Sequence, residues 1–431
     1  MTGLVTAGTW VEIHRIVLEA GTYQLTIANA AGQENANATG DLDIGADGGS
    51  SLTIIGAGAS ETFIDQQTVD RVIQIADGAN VTFQLLTIVG GEARDSGTAG
   101  AVAGDENARG GGILQTGDSA TVTLNNAGVI NSTASQGAIL DTGLSAQGGG
   151  IYLEGGSLNL VVATLTSNRV LGDTGPDAGP INNPIVTVED ITPPTAGVAQ
   201  ASAIVVGDPG NNGNLGGAGQ GGGIFVADGD VVVRKSVMRL NAAIGNAGGD
   251  ASTGQIVNAI AEATATPQEQ DEFTFAEAIA NANARGGTGG IGGMGGEGAG
   301  GAIFVLDGNV QVFDSTLDSN EATGGTGGAG GQGGDADAIA TTTATADNAT
   351  STATAEASGG IGGAGGQGGA GLGGGVANVG GVLQIIRSTF FENTAEGGTG
   401  GQGGQGGDIS SNANATAIGE NADPTAVAQS S

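Results

Sequence analysis

One motif occurs five times along the chain, and its fixed internal spacing limits the available folds more than any other feature. Each copy opens on two small residues and an aliphatic one: Gly111-Gly112-Ile113, Gly149-Gly150-Ile151, Gly222-Gly223-Ile224, Gly301-Ala302-Ile303 and Gly374-Gly375-Val376. Each then runs through a hydrophobic stretch to an asparagine: Asn131, Asn168, Asn241, Asn320 and Asn393. The interval from aliphatic residue to asparagine is 18 residues in the first copy and 17 in the other four, although the copies themselves lie 38, 73, 79 and 73 residues apart. A constant unit separated by insertions of varied length means one supersecondary element, stacked.

The content of a unit says what is stacked. Ile303-Phe304-Val305 is followed by Asp307-Gly308-Asn309, then Val310-Gln311-Val312-Phe313, then Leu317 and Asn320. This order reads as strand, tight turn, strand and corner, with Asp-Gly supplying the positive φ the turn needs. Residues 11 to 89 carry further short β-branched or alternating strands, punctuated by Gly, Asp and Asn. No stretch sustains a capped 3.6-residue period; the nearest to a helical turn, Phe275 to Ile279, has alternating flanks. The spacing therefore predicts an all-β chain, a parallel β-helix of about seven rungs over residues 1–396. Ile113, Ile151, Ile224, Ile303 and Val376 are expected in one interior column. The five asparagines are expected at a corner, where they tolerate the left-handed region and can ladder through their side chains.

A second periodicity fills the insertions. Residues 286–296 read Gly-Gly-Thr-Gly-Gly-Ile-Gly-Gly-Met-Gly-Gly, and the same triplet recurs at 324–334, 359–369 and 397–407. Period three is neither helix nor strand but fits polyproline II, with two glycines per turn for backbone packing and the third residue outward. Between the stems, segments such as 335–358 alternate Ala with Thr, Asp or Glu, a β pattern with one small apolar face. The insertions at 245–301 and 324–373 are thus expected to be projecting hairpin arms with glycine stems and β tips. The arm at 397–431 leaves with a stem and a tip, Asn412 to Ala417, but shows no returning stem, so pairing with the tips at 335–358 and 250–285, in this copy or another, is expected. Residues 172–220, with six of the eight prolines, read as an irregular surface loop.

Composition narrows the partners. Ten Lys+Arg against 44 Asp+Glu give a formal charge of −34, which argues against nucleic acid and anionic lipid. There is no Cys and aromatics are only 3%, so stability must come from backbone hydrogen bonds and aliphatic stacking rather than disulfides. No apolar run is long enough to span a membrane, and Met1 to Val5 does not open a secretory signal.

Two stretches carry a family likeness. Gly300-Gly301-Ala302-Ile303 with Phe390-Phe391-Glu392-Asn393 resembles the repeats of polymorphic outer-membrane proteins and related bacterial surface β-helix proteins. Leu165, Met238 and Leu317 replace the Phe in other copies, and the first copy departs further. The run from Ile16 to Tyr23, with Thr53 to Gly58 and Asp70-Arg71-Val72, looks like the start of a large group of secreted bacterial β-helix proteins. The leucine-arginine-glutamate motif which that group carries upstream is missing, pointing to truncation or processing. The resemblance implies a right-handed β-helix, displayed on the bacterial surface or secreted, often in adhesion. No autotransporter-type membrane barrel follows.

A search for chemistry returns little. A single His and no Cys exclude a His-rich zinc site and a Cys/His nucleophile pair; His14, beside Trp10 and Glu12, reads as a packing residue. Arg234, Lys235 and Arg239 form the one basic cluster, with Asp228 and Asp230 nearby, and would be the place for a carboxylate-and-base groove of the polysaccharide-cleaving kind. Asp41, Asp43 and Asp47 are spaced like calcium ligands but lack the loop that ends in Glu, and Gly401 to Asp408 is like a glycine-rich calcium repeat without its tandem copies. Structural calcium is thus the only cofactor left open, and catalytic and cofactor-binding residues are none. Asn37, Asn80, Asn131, Asn348 and Asn414 begin Asn-x-Ser/Thr sites, usable only in a glycosylating host. The expectation is a non-enzymatic extracellular or cell-surface structural or adhesive protein that self-associates through its glycine-rich arms into filaments or sheets. The alternatives are an ice- or carbohydrate-binding surface module and, behind it, a polysaccharide-degrading enzyme.

Overall fold

The computed structural model describes residues 13–28, 37–46, 51–94, 107–135, 144–181, 185–270 and 273–430. One rung shows the layout. Between residues 298 and 323 five short strands follow one another: Gly298–Ala299, Ile303–Val305, Asn309–Phe313, Thr316–Asp318 and Glu321–Thr323. Each pairs in parallel with its equivalents one repeat away, as Ile303–Val305 does with Ile224–Val226 on one side and Val376–Asn378 on the other. Among the described residues this builds five stacked parallel sheets of five, seven, eight, eight and six strands, a solenoid of the β-helix kind.

Alternation along each strand decides what points inward. Val310 and Val312 are fully buried, while Gln311 between them is partly exposed. The register stacks Ile73, Ile113, Ile151, Ile224, Ile303 and Val376 in one column. The first five are fully buried and Val376 packs against the same core. Leu165, Met238, Leu317 and Phe390 form another inward column. The turn after each Ile-containing strand uses a left-handed glycine, Gly229 (φ 97°) and Gly308 (φ 88°), a conformation that costs glycine no Cβ clash.

The corners differ from the sequence expectation by one residue. Asn131 is left-handed, with φ 54°, but in the other copies the preceding residue holds that conformation: Ser167, Leu240, Ser319 and Glu392. Asn168, Asn241 and Asn320 are fully buried instead, because an inward side chain cannot also sit on the outward-pointing left-handed residue. Ser132, not Asn131, occupies the corresponding place in the first copy, where its N–H donates to Asn168 Oδ1 at 3.1 Å.

The insertions depart further. Their long strands do not pair as hairpins; the antiparallel pairing among the described residues is confined to one tip, where Gln268–Gln270 meets the start of Phe273–Arg285. Outgoing Ile185–Ala196, Ile256–Thr266, Ala336–Thr345 and Ile409–Ile418 make one parallel sheet, and returning Val198–Val206, Phe273–Arg285, Asn348–Ser358 and Asp423–Ser430 make another. The two sheets pack face to face over alanines such as Ala261, Ala280, Ala340 and Ala353. The alternating alanine face must be covered, so each arm's two strands lie in opposite layers rather than side by side. Phe275 to Ile279, the segment nearest to a helical turn in its pattern, belongs with its alternating flanks to one of these strands. Residues 172–220 are likewise the first arm of the stack and not an irregular loop; their prolines Pro193 and Pro194 fall at a register shift in an edge strand, where a missing N–H is tolerated. The last arm returns as Asp423–Ser430, in register with Asn348–Ser358, and stacks on the arm before it rather than standing as a separate unit.

The glycine stems hold these arms to the solenoid through hydrogen bonds that recur every third residue. Gly289, Gly292 and Gly295 donate to Ile361, Ala364 and Gln367 of the next arm at 2.8, 3.0 and 2.9 Å. Gly290, Gly293 and Gly296 donate to Ser252, Gly249 and Asn246 of the facing layer at 3.1, 2.9 and 2.7 Å. The third residues, Thr288, Ile291 and Met294, are exposed. A chain with three residues per turn gives this alternation of two buried donors and one outward side chain.

Replacing Ile303 by Asp, which places an unpaired charge in the interior column, should cost more than about 4 kcal/mol or abolish cooperative folding. Gln311→Asp on the outward face of the same rung should change urea-unfolding stability by about 0.5 kcal/mol or less. Similar losses for both would mean the inward and outward faces are misassigned.

Candidate functional site

The most completely built polar feature is the asparagine column. Asn168 Nδ2 donates to Asn241 Oδ1 (3.0 Å), Asn241 Nδ2 to Asn320 Oδ1 (2.9 Å) and Asn320 Nδ2 to Asn393 Oδ1 (2.8 Å). Each amide also donates to a carbonyl of the previous rung, Val129, Leu165, Met238 and Leu317 in turn. The Oδ1 atoms of Asn241, Asn320 and Asn393 each take a second bond from a backbone N–H, as Asn320 Oδ1 does from Asn241 at 3.1 Å, and Asn168 Oδ1 takes its bond from the Ser132 N–H. Every polar atom of these buried amides is spent on the stack, leaving none for a ligand.

The opposite corner carries a second column that the sequence reading missed. Left-handed Val162, Lys235, Asp314 and Arg387 precede Ala163, Ser236, Ser315 and Ser388. The Ala163, Ser236 and Ser315 N–H groups donate to the next serine Oγ at 3.0, 3.1 and 3.2 Å. A third column stacks Tyr152, Phe225 and Phe304 on the outside of the solenoid, with ring centroids 5.2 and 5.1 Å apart and Arg109 over the Tyr152 ring. Burial raises the Tyr152 hydroxyl above its usual range. The signals were present, a Ser two residues after each of Asp230–Arg234, Asn309–Phe313 and Val382–Ile386 and an aromatic in the middle of Ile-x-Val or Ile-x-Leu, but each looked like ordinary strand filler.

The basic cluster does not converge into a groove. Arg234 lies over Phe313, Arg239 pairs with Asp318 at 3.1 Å, and Lys235 occupies a corner beside Asp314. Asp228 caps the Gly229 N–H and Asp230 accepts from Asn309. Asp230 and Arg234 stand at opposite ends of one strand, about 13 Å apart along it. Arg387 holds the Asp314 carboxyl well below the usual carboxylate range through bonds of 2.6 and 2.9 Å.

Two other places gather polar groups. Near the N-terminal rungs Asp41, Asp70 and Arg71 are buried together, and burial, then repulsion from Asp70, push the Asp41 carboxyl up to about 7. Asp47, the third residue of the calcium-like spacing, lies outside the described residues, as do Trp10 and Glu12 beside His14. Among the described residues no group of three His, Asp or Glu side chains is arranged to hold a metal ion. The run from Gly401 to Asp408 is packed as an arm stem, with the Asp408 N–H donating to Asp335 at 2.8 Å. On the returning sheet, Asn283, Arg285, Glu356 and Gln429 line an open polar recess of about 700 Å³, in which Asn283 donates to Glu356 at 3.2 Å. Among the described residues no helix is long and apolar enough to cross a membrane.

Comparison with known proteins adds little to this geometry. No protein-family model matches the chain, and no curated protein does. Among solved structures it is similar to a PL6 family alginate lyase, AlyGC, at 13% identity over 74% of this chain, with a TM-score of 0.13. It is similar to the periplasmic alginate epimerase AlgG at 10% identity over 79% of this chain and 77% of that one, also with a TM-score of 0.13. The chain spans 37% of the lyase's length. Likeness at this level carries no argument about site or activity.

Asn320→Ala would leave the Met238 carbonyl and two Asn241 donors without a partner, at about 1–3 kcal/mol for each unsatisfied group. Thermal unfolding should show a loss of several degrees or more. Asn320→Asp should be worse, since it turns an oxygen toward Met238 O and Asn393 Oδ1. A neutral Asn320→Ala would show that the ladder is ornamental.

Proposed function

We propose that this chain is a non-enzymatic structural or adhesive protein of the extracellular space or bacterial cell surface, built as a right-handed β-helix with polyproline II stems. It self-associates through its arms. The observation that carries the reading is the shared repeat of solenoid and arms. From residue 172 onward every added rung brings one more layer of stem and tip, hydrogen-bonded in register to the last, so these rungs carry a two-layer slab. Such a body resists deformation and displays side chains at regular spacing.

The arm of residues 397–430 supports the self-association. In the inner arms, a Cβ on Gly363 or Gly331 would overlap a neighbouring carbonyl oxygen, of Gly290 or Ser252. On the outward side of the last stem the nearest atoms to a Cβ on Gly403 or Gly406 are 3.7 and 3.5 Å away. A glycine-triplet helix of the same pitch is the partner that can approach this side as closely as the inner stems approach one another, and a second copy carries one.

The alternatives draw less support. One threonine column, Thr264, Thr343 and Thr416, runs across the outgoing sheet. The adjacent column is Ile191, Glu262, Thr341 and Asn414, which is no regular hydroxyl array for ice. The recess at Arg285 and Glu356 is the place a glycan would bind.

Light scattering and electron microscopy should show the wild-type chain associating. A double variant, Gly403→Ala with Gly406→Ala, should melt at the wild-type temperature yet remain monomeric, whereas Gly363→Ala should lower the melting temperature. A strictly monomeric wild type, or association untouched by the double variant, removes the self-association. Release of unsaturated or reducing ends from polyuronates by the purified chain would overturn the non-enzymatic reading.

A further inference from the structure

The N-terminal rungs gather three charged side chains in one buried place. Asp41 is 6% exposed, Asp70 2% and Arg71 3%, with Gln66 and Gln74 packed among them. The Leu42 N–H donates to the Val72 carbonyl at 3.0 Å, which sets Asp41 directly over the Asp70-Arg71 step of the next rung. Asp70 Oδ1 accepts from the Arg71 N–H at 2.8 Å. The Arg71 guanidinium reaches Gln74 Oε1 at 3.2 Å but Asp41 Oδ2 only at 3.9 Å. The Gln66 amide is committed to the Gly40 and Arg71 carbonyls, so it offers Asp41 nothing, and Asp41 Oδ2 accepts no hydrogen bond.

The charged groups facing Asp41 are Asp70 and Asp43, both repelling, and Arg71, attracting. One guanidinium therefore serves several carboxyls in a place shut off from water. Two carboxylates cannot both ionise there without a large penalty.

We infer that Asp41 and Asp70 form a proton-operated lock on the N-terminal rungs, closed when Asp41 carries a proton and loosened when it ionises. The folded-state value of about 7 lies above the ordinary 3.8. The folded chain thus keeps a proton that the unfolded chain gives up. Stability from this site is complete below about pH 4, declines as pH rises through the window to 7, and stays at its lower level above it. A cation bound in place of the proton would give the opposite dependence.

Hydrogen exchange of peptides covering 37–46 and 70–76, corrected for intrinsic rates, tests this on the full chain. Wild-type protection there should fall tenfold or more between pH 5 and pH 8, while a peptide over 303–323 stays constant. Asp41→Asn should be equally protected at both values. Should that variant fail to close the rungs at all, Asp70→Asn, which removes one of the two repelling carboxylates and leaves Asp41 facing Arg71 and Asp43, should weaken the pH dependence. Wild-type protection independent of pH, or the wild-type loss persisting in both variants, overturns the lock. Protection restored at pH 8 by millimolar calcium overturns it too, since a metal and not a proton would then neutralise the site.

Discussion

Everything in this chain depends on hydrogen bonds that run along the stacking axis. Backbone and amide donors of one rung find acceptors in the next, at sequence separations of 73 or 79 residues in the later repeats. Strands in parallel sheets lie about 4.8 Å apart, and that spacing is imposed on whatever else the rung carries. The stems obey it because Gly248 bonds to Thr326, and Gly327 in turn to Thr399, as the strands beside them pair. The tips obey it because their two sheets are extensions of the same stack. Insertions that would be independent loops elsewhere are here bound to the pitch of the solenoid.

That common pitch explains a gradient of side-chain size. The solenoid encloses Ile, Leu, Val, Met and Phe, the tips enclose Ala, and the stems enclose backbone alone. Apolar burial contributes about 0.8 kcal/mol per CH2, so the driving force for collapse falls steeply from solenoid to stem. Glycine also loses more chain entropy than any other residue on becoming ordered. The stems are therefore ordered by what they connect, and their bonds, each modest in net terms, act together. An arm cut away from its rungs would have an alanine core and a glycine stem with nothing to set their register.

The sequence was legible where composition and neighbour choice coincide. An Ile in a fixed repeat stacks on the same Ile in the next, so the interior column could be read directly, and glycine triplets reveal their own three-residue period. It was less legible where periodicity names a face but not the neighbour. Alternating alanine in 335–358 shows one small apolar face; whether that face meets its own return strand edge-on or another sheet face-on depends on the rest of the stack. The corner was misread by one residue because Asn both tolerates left-handed geometry and ladders when buried, and sequence spacing alone does not separate those uses. In 172–220 the prolines concealed an arm, since Pro193 and Pro194 argue against a strand unless it is known to be an edge. Within the buried N-terminal cluster, Asp41 stands out in the sequence only for its calcium-like spacing with Asp43 and Asp47; Asp70 comes from another rung and is joined to it only by the fold.

The large negative charge follows from the same geometry. With 44 acids against ten Lys and Arg, most charged turn and arm positions are acidic, as at Asp228, Asp307 and Asp337. Stacked parallel strands would bring like charges within about 5 Å of each other. Several columns avoid this by interruption: Asp230 stands beside Asn309, Asp314 between Lys235 and Arg387, and Asp318 beside Arg239. Like charges do recur at exposed positions, as at Asp228 and Asp307 in successive turns and at Asp335 and Asp408 in successive arms; the repeat is strictest where residues are buried and apolar or amide. The same rule bears on how two molecules could meet. Under the proposed self-association, acidic faces would repel at long range and backbone donors would attract at contact, and at physiological salt, where screening sets in within about 8 Å, the short-range term would decide.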